Sequence, residues 1–103
     1  MTQQYLVGEL SLILGELQAV ATSETAARDV GRLRREAEST PPVALGPVVV
    51  RAVLLTNRVC WDALHRGAAA AFVREVAICA ELRELGVCAG FLEEEGSNET
   101  GLS

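Results

Sequence analysis

The chain has 103 residues, half of them hydrophobic, and a formal net charge of −5 at neutral pH. This length fits one domain with a modest core, and the acidic balance excludes nucleic acid and anionic membranes as obvious partners. The N-terminus lacks a basic leader, and no apolar run approaches the ~18 residues of a membrane span. We therefore expect a cytoplasmic protein with no membrane partner.

Helical spacing of apolar residues predicts an all-α fold. We expect a small bundle of about four helices, formed by residues 1–92 as one domain, and an acidic disordered tail at residues 93–103. The first helix spans roughly residues 3–21 and carries one apolar face made of Leu6, Leu10, Ile13, Leu17 and Val20. The Leu residues off that face indicate that this helix is covered on more than one side.

A second helix follows the candidate N-caps Thr22 and Ser23 and ends near Ser39, before two prolines. Its apolar face is thin and the rest of its surface is charged, which is typical of a peripheral helix. The apolar positions are Ala26, Val30, Leu33 and Ala37.

The third helix is predicted to begin near Pro47 and to be apolar on two sides. One side carries Val48, Ala52, Leu55 and Val59, and the other carries Val50, Leu54, Trp61 and Leu64. A helix that is apolar on both sides is usually central in a bundle. Trp61, the one tryptophan, is therefore expected to anchor the core.

Gly67 decides how the C-terminal half folds. Apolar spacing continues through it, so one helix of about forty residues is possible. His65, Arg66 and Gly67 also form an ordinary helix C-terminus, and we favour a break that makes the last two helices an antiparallel hairpin. The fourth helix would then bury Phe72, Val76, Cys79 and Leu82, end at Gly86 and be followed by a short apolar segment.

Asn57 and Glu75 are the two polar interruptions of the long apolar stripe. They lie ten and eight residues from Gly67, so a hairpin would bring them nearly level. A buried polar group without a partner costs ~1–3 kcal/mol. We therefore predict a buried polar pair, with contact to a ligand as the alternative.

Arg28, Arg32 and Arg35 lie on one face of the second helix. Such a ridge can contact a carboxylate-rich partner, although Asp29 and Glu36 are close enough to pair locally. A solvated face is the simpler interpretation, and partner contact is the functional one.

Metal binding and catalysis find little support in the sequence. The three cysteines and the one histidine (Cys60, His65, Cys79, Cys88) lack the close pairing of zinc ligands. We interpret the thiols as core residues and His65 as a surface or capping residue. No catalytic motif, nucleotide loop or cofactor site is present, so we predict no catalytic, cofactor or metal residues.

The most consistent function is a non-enzymatic protein-interaction module: a small adaptor or regulatory subunit. More apolar helix surface is present than four short helices can cover, which favours a homodimer that also binds another protein. Two alternatives remain. One is a bundle that holds a small apolar ligand between the third and fourth helices, with Asn57 and Glu75 as polar contacts, and the other is a thiol-based sensor.

Overall fold

A computed structural model of the protein describes residues 3–92. Four α-helices follow one another along the chain, and the described residues contain no strand. The helices are α1 (Gln3–Val20), α2 (Glu24–Ser39), α3 (Leu45–His65) and α4 (Ala69–Cys88), with a 3-10 turn at Pro42–Ala44 before α3. The predicted all-α fold is confirmed, whereas the predicted tail at 93–103 lies outside the described residues.

The four helices form two antiparallel hairpins. α1 packs along α2, α3 packs along α4, and the hairpins meet chiefly where α1 contacts α4. The shared core contains Leu10, Leu14 and Leu17 of α1 and Leu82 of α4, all fully buried. The predicted apolar face of α2 is confirmed, with Val30, Leu33 and Ala37 buried. The whole body measures 38 × 37 × 16 Å, so the hairpins make a thin slab.

Local signals set the helix ends. The Ser23 side chain caps α2 by accepting a hydrogen bond from the Ala26 amide at 3.0 Å. α3 ends at the predicted break, where Gly67 has a φ of +72°. The Ala68 amide donates to the Ala63 carbonyl at 2.9 Å, and the Gly67 amide donates to the Leu64 carbonyl at 3.1 Å. This Schellman motif reverses the chain within three residues.

The start of α3 and the end of α4 differ from the prediction. α3 begins at Leu45, so Pro47 lies in its first turn, where no amide donor is needed. α4 runs past Gly86 to Cys88, and a second left-handed glycine, Gly90, follows it with a φ of +82°. Gly86 is instead a packing residue, because a Cβ atom there would lie 2.5 Å from Leu92 Cδ1.

The prediction that Trp61 anchors the core is wrong. Its side chain is 62% exposed, and Leu54 on the same side of α3 is 60% exposed. The buried side of α3 carries smaller residues, which let neighbouring helices approach closely. They include Val48, Val49, Ala52, Val53, Thr56, Val59, Cys60 and Ala63. On α4, Cys79 and Leu82 are buried as predicted, whereas Val76 is 46% exposed.

One segment, Pro42–His65, is long and apolar enough to cross a membrane by length and composition. In this fold 44% of its apolar window is buried against the rest of the protein. Core helices of soluble bundles pass the same test, so this feature is weak evidence for a membrane.

Candidate functional site

An uncovered apolar surface lies along α3 and the adjoining edge of α4. We call it the apolar face and define it by Val50, Leu54, Trp61 and Leu64 of α3 and by Phe72 and Val76 of α4. Phe72 is half-buried and the other five are exposed. Single exposed hydrophobic residues are normal, whereas contiguous apolar patches are typical of interaction sites.

A groove between α3 and α4 opens within the apolar face. Its volume is about 370 Å³, and its walls are mostly apolar. Its lining residues are Asn57, Cys60, Trp61, Leu64, Phe72, Val76, Cys79, Ala80 and Arg83. The Trp61 indole forms one rim and tilts 52° from the His65 ring, with 6.2 Å between the ring centroids. The groove can therefore accept apolar groups from a protein or from a small molecule.

Three polar groups lie at the floor of this groove or behind it. The Cys79 thiol donates to Asn57 Oδ1 at 3.5 Å, and Asn57 is half-buried. Glu75 is fully buried, and neither of its carboxyl oxygens has a hydrogen-bond partner among the described residues. It is not among the residues that line the groove. An orphaned buried carboxyl group in a small core is costly and is not explained by packing.

The hairpin brings Asn57 and Glu75 to the same helix pair but does not join them by a hydrogen bond. Asn57 contacts Cys79, one helical turn beyond Glu75 on α4. Asn57 is half-buried and lines the groove, whereas Glu75 is fully buried and does not line it, so the two side chains lie at different depths. The predicted pair is thus not hydrogen-bonded in the described residues.

The environment of Glu75 disfavours its charged form. Burial raises the pKa of Glu75, and the negative charge of Asp62 raises it further. Burial, with smaller contributions from Cys79 and Glu75, also raises the pKa of Cys60 to about 11. A thiol with so high a pKa is almost entirely protonated at neutral pH, and the thiolate is the reactive form. Cys60 is thus poorly suited to redox sensing.

The arginine ridge lies on the outside of α2. Arg28, Arg32 and Arg35 are all exposed. The local acids that were expected to pair with them bind α3 instead, since Asp29 contacts Arg58 at 3.7 Å and Glu36 contacts Arg51. The helices are close enough for these longer links, which tie α2 to α3. No described residue forms an ion pair with the three ridge arginines.

His65 and the cysteines do not form a catalytic or metal-binding cluster in the described part of the chain. His65 is exposed, and its Nδ1 donates to the Trp61 carbonyl at 2.7 Å, since a carbonyl can only accept. Cys60 and Cys79 are buried, and Cys88 is exposed. Within residues 3–92 no group of three or more histidine, cysteine or acidic side chains could hold a metal ion.

Helical spacing identified the residues of the apolar face in the sequence, but three of them, Trp61, Phe72 and Val76, were expected in the core. Residue size was the signal that distinguishes the two sides of α3. The side with small residues packs tightly, and the side with Leu and Trp also carries Asn57 and is flanked by Arg51 and Arg58. No protein-family model, curated protein or solved structure matches the chain.

Proposed function

We propose that the protein is a non-enzymatic interaction module, a small adaptor or regulatory subunit, that binds other protein surfaces through its apolar face. The observation that carries this proposal is the exposure of Trp61, at 62%, between Leu54 at 60% and Leu64 at 48%. A few residues, tryptophan prominent among them, supply most of the binding energy at protein interfaces. We place the protein in the cytoplasm, where its three thiols remain reduced.

The environments of His65 and Glu75, two side chains that could act in catalysis, support a non-enzymatic role. The His65 Nδ1 is occupied by a main-chain carbonyl, and Glu75 is inaccessible. A general base needs a substrate proton within hydrogen-bond reach, which a fully buried carboxyl group does not have. A second cleft, between α2 and α3, is lined by Asp29, Arg58, Asp62 and Arg66. Its charges are paired with one another, since Arg66 contacts Asp62 at 2.9 Å and Arg58 contacts Asp29 at 3.7 Å.

The experiment compares the immobilised wild-type chain with Trp61→Asp in a lysate of the source organism. A charge in the middle of the apolar face should abolish capture of any protein that binds there, because an unpaired charge is costly at a buried contact. Leu12→Asp is the matched control, since Leu12 is 55% exposed on α1, outside the face. Mass spectrometry should find a protein retained by wild type and by the control only. An identical set of proteins with all three baits contradicts the proposal.

A second candidate function is binding of a small apolar molecule in the groove. The apolar walls and the volume of about 370 Å³ favour it, because pockets of about 300–1,000 Å³ hold ligands of drug-like size. Asn57 and Arg83 would supply the polar contacts, and Glu75 would not. Dodecanol is a suitable probe: if this function holds, it should raise the melting temperature of wild type but not that of Val76→Asp. No shift in wild type argues against it.

A further inference from the structure

The apolar face has the spacing of a helix-pairing seam. Val50, Leu54, Asn57, Trp61 and Leu64 follow one another at steps of four, three, four and three residues. This spacing keeps a stripe turned toward a second helix that packs at a shallow angle of about 20°. Within the chain, α4 flanks one edge of this stripe, beside Asn57, Trp61 and Leu64. The other edge lies beside α2, so the stripe has room for one more helix.

We propose that this helix is α3 of a second copy of the chain, antiparallel to the first about a two-fold axis beside Asn57. The proposal deepens the proposed function, and rests on it, by naming the partner. The apolar residues are arranged almost symmetrically around Asn57, at −7, −3, +4 and +7. An antiparallel copy therefore places Val50 against Leu64 and Leu54 against Trp61, and it repeats both contacts on the other side of the axis.

Asn57 suits a position on a two-fold axis. Its Oδ1 already accepts from Cys79 within the protomer, and its amide group carries two N–H donors. Two copies of Asn57 that face each other can exchange amide hydrogen bonds. A single polar residue in an apolar seam fixes the register of a helix pair, because any other register would bury it unpaired. The residue that interrupts the stripe thus selects one alignment.

The exposed area is sufficient for this contact. With areas of about 150–250 Å² for the aromatic side chains and less for Leu and Val, roughly 500 Å² of apolar surface is exposed on each face. Two copies would bury roughly 1,000 Å², before any polar rim is counted, and this meets the lower limit for a specific interface. A patch of this size is at the upper end of what one soluble monomer exposes.

The charges along the seam favour a second copy over an ionic partner. Arg51 and Arg58 border the stripe, but each is paired with an acid of α2, Glu36 and Asp29 respectively. The α2 side of the stripe is therefore close to neutral, and along it two identical faces can approach without strong repulsion. An anionic membrane or an acidic protein would be attracted by unpaired cations, which the α2 side of the stripe does not present.

Sedimentation equilibrium of the full chain tests the proposal through positions 50 and 64. Wild type should have twice the chain mass of 11.0 kDa at micromolar concentrations. Val50→Glu and Leu64→Arg should each weaken the dimer at least roughly tenfold. An equimolar mixture of the two variants should regain it, because the introduced carboxylate then faces the introduced guanidinium. A parallel pair would place each charge against an apolar residue and would not be restored.

Controls separate failure of this inference from failure of the proposed function. Leu12→Glu should remain dimeric, and far-UV circular dichroism should show every variant to be helical. A monomeric wild type, a dimer that survives both single substitutions, or a mixture that stays monomeric would each overturn the proposal. If wild type is monomeric but Trp61 is still required to capture another protein, the interaction module stands with a different partner. If monomeric wild type instead co-sediments with anionic lipid vesicles, the face binds a membrane surface.

Discussion

The two hairpins differ in how completely they cover their own apolar residues. In α1 and α2 the large hydrophobic residues that remain exposed are Tyr5 and Leu12, about two turns apart on α1. In α3 and α4 the exposed large hydrophobic residues are more numerous, and most of them form a row. They are Val50, Leu54, Trp61, Leu64, Val73 and Val76. The first hairpin is completed within the chain, while the second presents a surface. Hydrophobic content alone therefore does not measure core size in this protein.

The largest effect should come from truncating the shared core rather than the apolar face. Leu82→Ala should lower the free energy of unfolding by ~2–5 kcal/mol, because Leu82 is fully buried and a cavity would remain. Trp61→Ala should cost less than ~1 kcal/mol in the monomer, since most of its ring is already in water. Urea unfolding followed by circular dichroism, at protein concentrations below dimerisation, measures both. Similar decreases in the free energy of unfolding for the two variants would show that Trp61 packs in the core.

Glu75→Leu should raise the free energy of unfolding by ~1–3 kcal/mol at pH 7. The substitution removes an unpaired buried carboxyl group and puts an apolar side chain of similar size in its place. Burial raises the pKa of Glu75 in the folded state, so the folded protein retains this proton more strongly than the unfolded chain. Wild-type stability relative to Glu75→Leu should thus be greatest below the ordinary glutamate pKa of 4.5 and fall as pH rises through the higher pKa of the folded state.

Melting temperatures of wild type and Glu75→Leu across this pH range isolate the contribution of Glu75. A difference between the two proteins that does not depend on pH would show that Glu75 titrates normally. Loss of stability in Glu75→Leu at all pH values would show that the carboxyl group has a partner when the protein is in solution.

Two glycines provide a smaller test of packing at the end of the second hairpin. Gly86→Ala should cost ~1 kcal/mol, because the new Cβ would lie 2.5 Å from Leu92 Cδ1 and displace it. Gly8→Ala should instead gain up to ~1 kcal/mol, since nothing lies within 4 Å of the added atom on α1 and alanine favours helix. Chemical denaturation checks both. A gain at position 86 would mean that Leu92 does not pack there.

The smallest effect is the energetic coupling between Asn57 and Glu75. Asn57 contacts Cys79, and no hydrogen bond joins it to Glu75. The cycle of Asn57→Leu, Glu75→Leu and the double variant should therefore be additive within ~0.5 kcal/mol. The cycle of Asn57→Leu with Cys79→Ala is the comparison, and it should show the larger coupling. Strong coupling in the cycle of Asn57→Leu and Glu75→Leu would show that Asn57 and Glu75 contact each other directly.

Periodicity predicted the elements of this fold but not the orientation of α3. The face of α2 was predictable because only one side of that helix is apolar. α3 is apolar on two sides, and no spacing rule decides which side turns inward. The break at Gly67 was predictable because a basic last turn and a glycine coincide there. The Asn57–Cys79 contact was not, because apolar spacing does not determine which residue of α4 lies opposite Asn57.

The position of Trp61 also gives the protein a built-in optical label. It is the one tryptophan of the chain, and its indole lies on the rim of the groove in the apolar face. Fluorescence excited at wavelengths that tryptophan absorbs and tyrosine does not therefore comes from this face alone. When solvent leaves the indole, its emission moves to shorter wavelength, so occupation of the face can be followed on the unmodified chain at the dilution where binding begins.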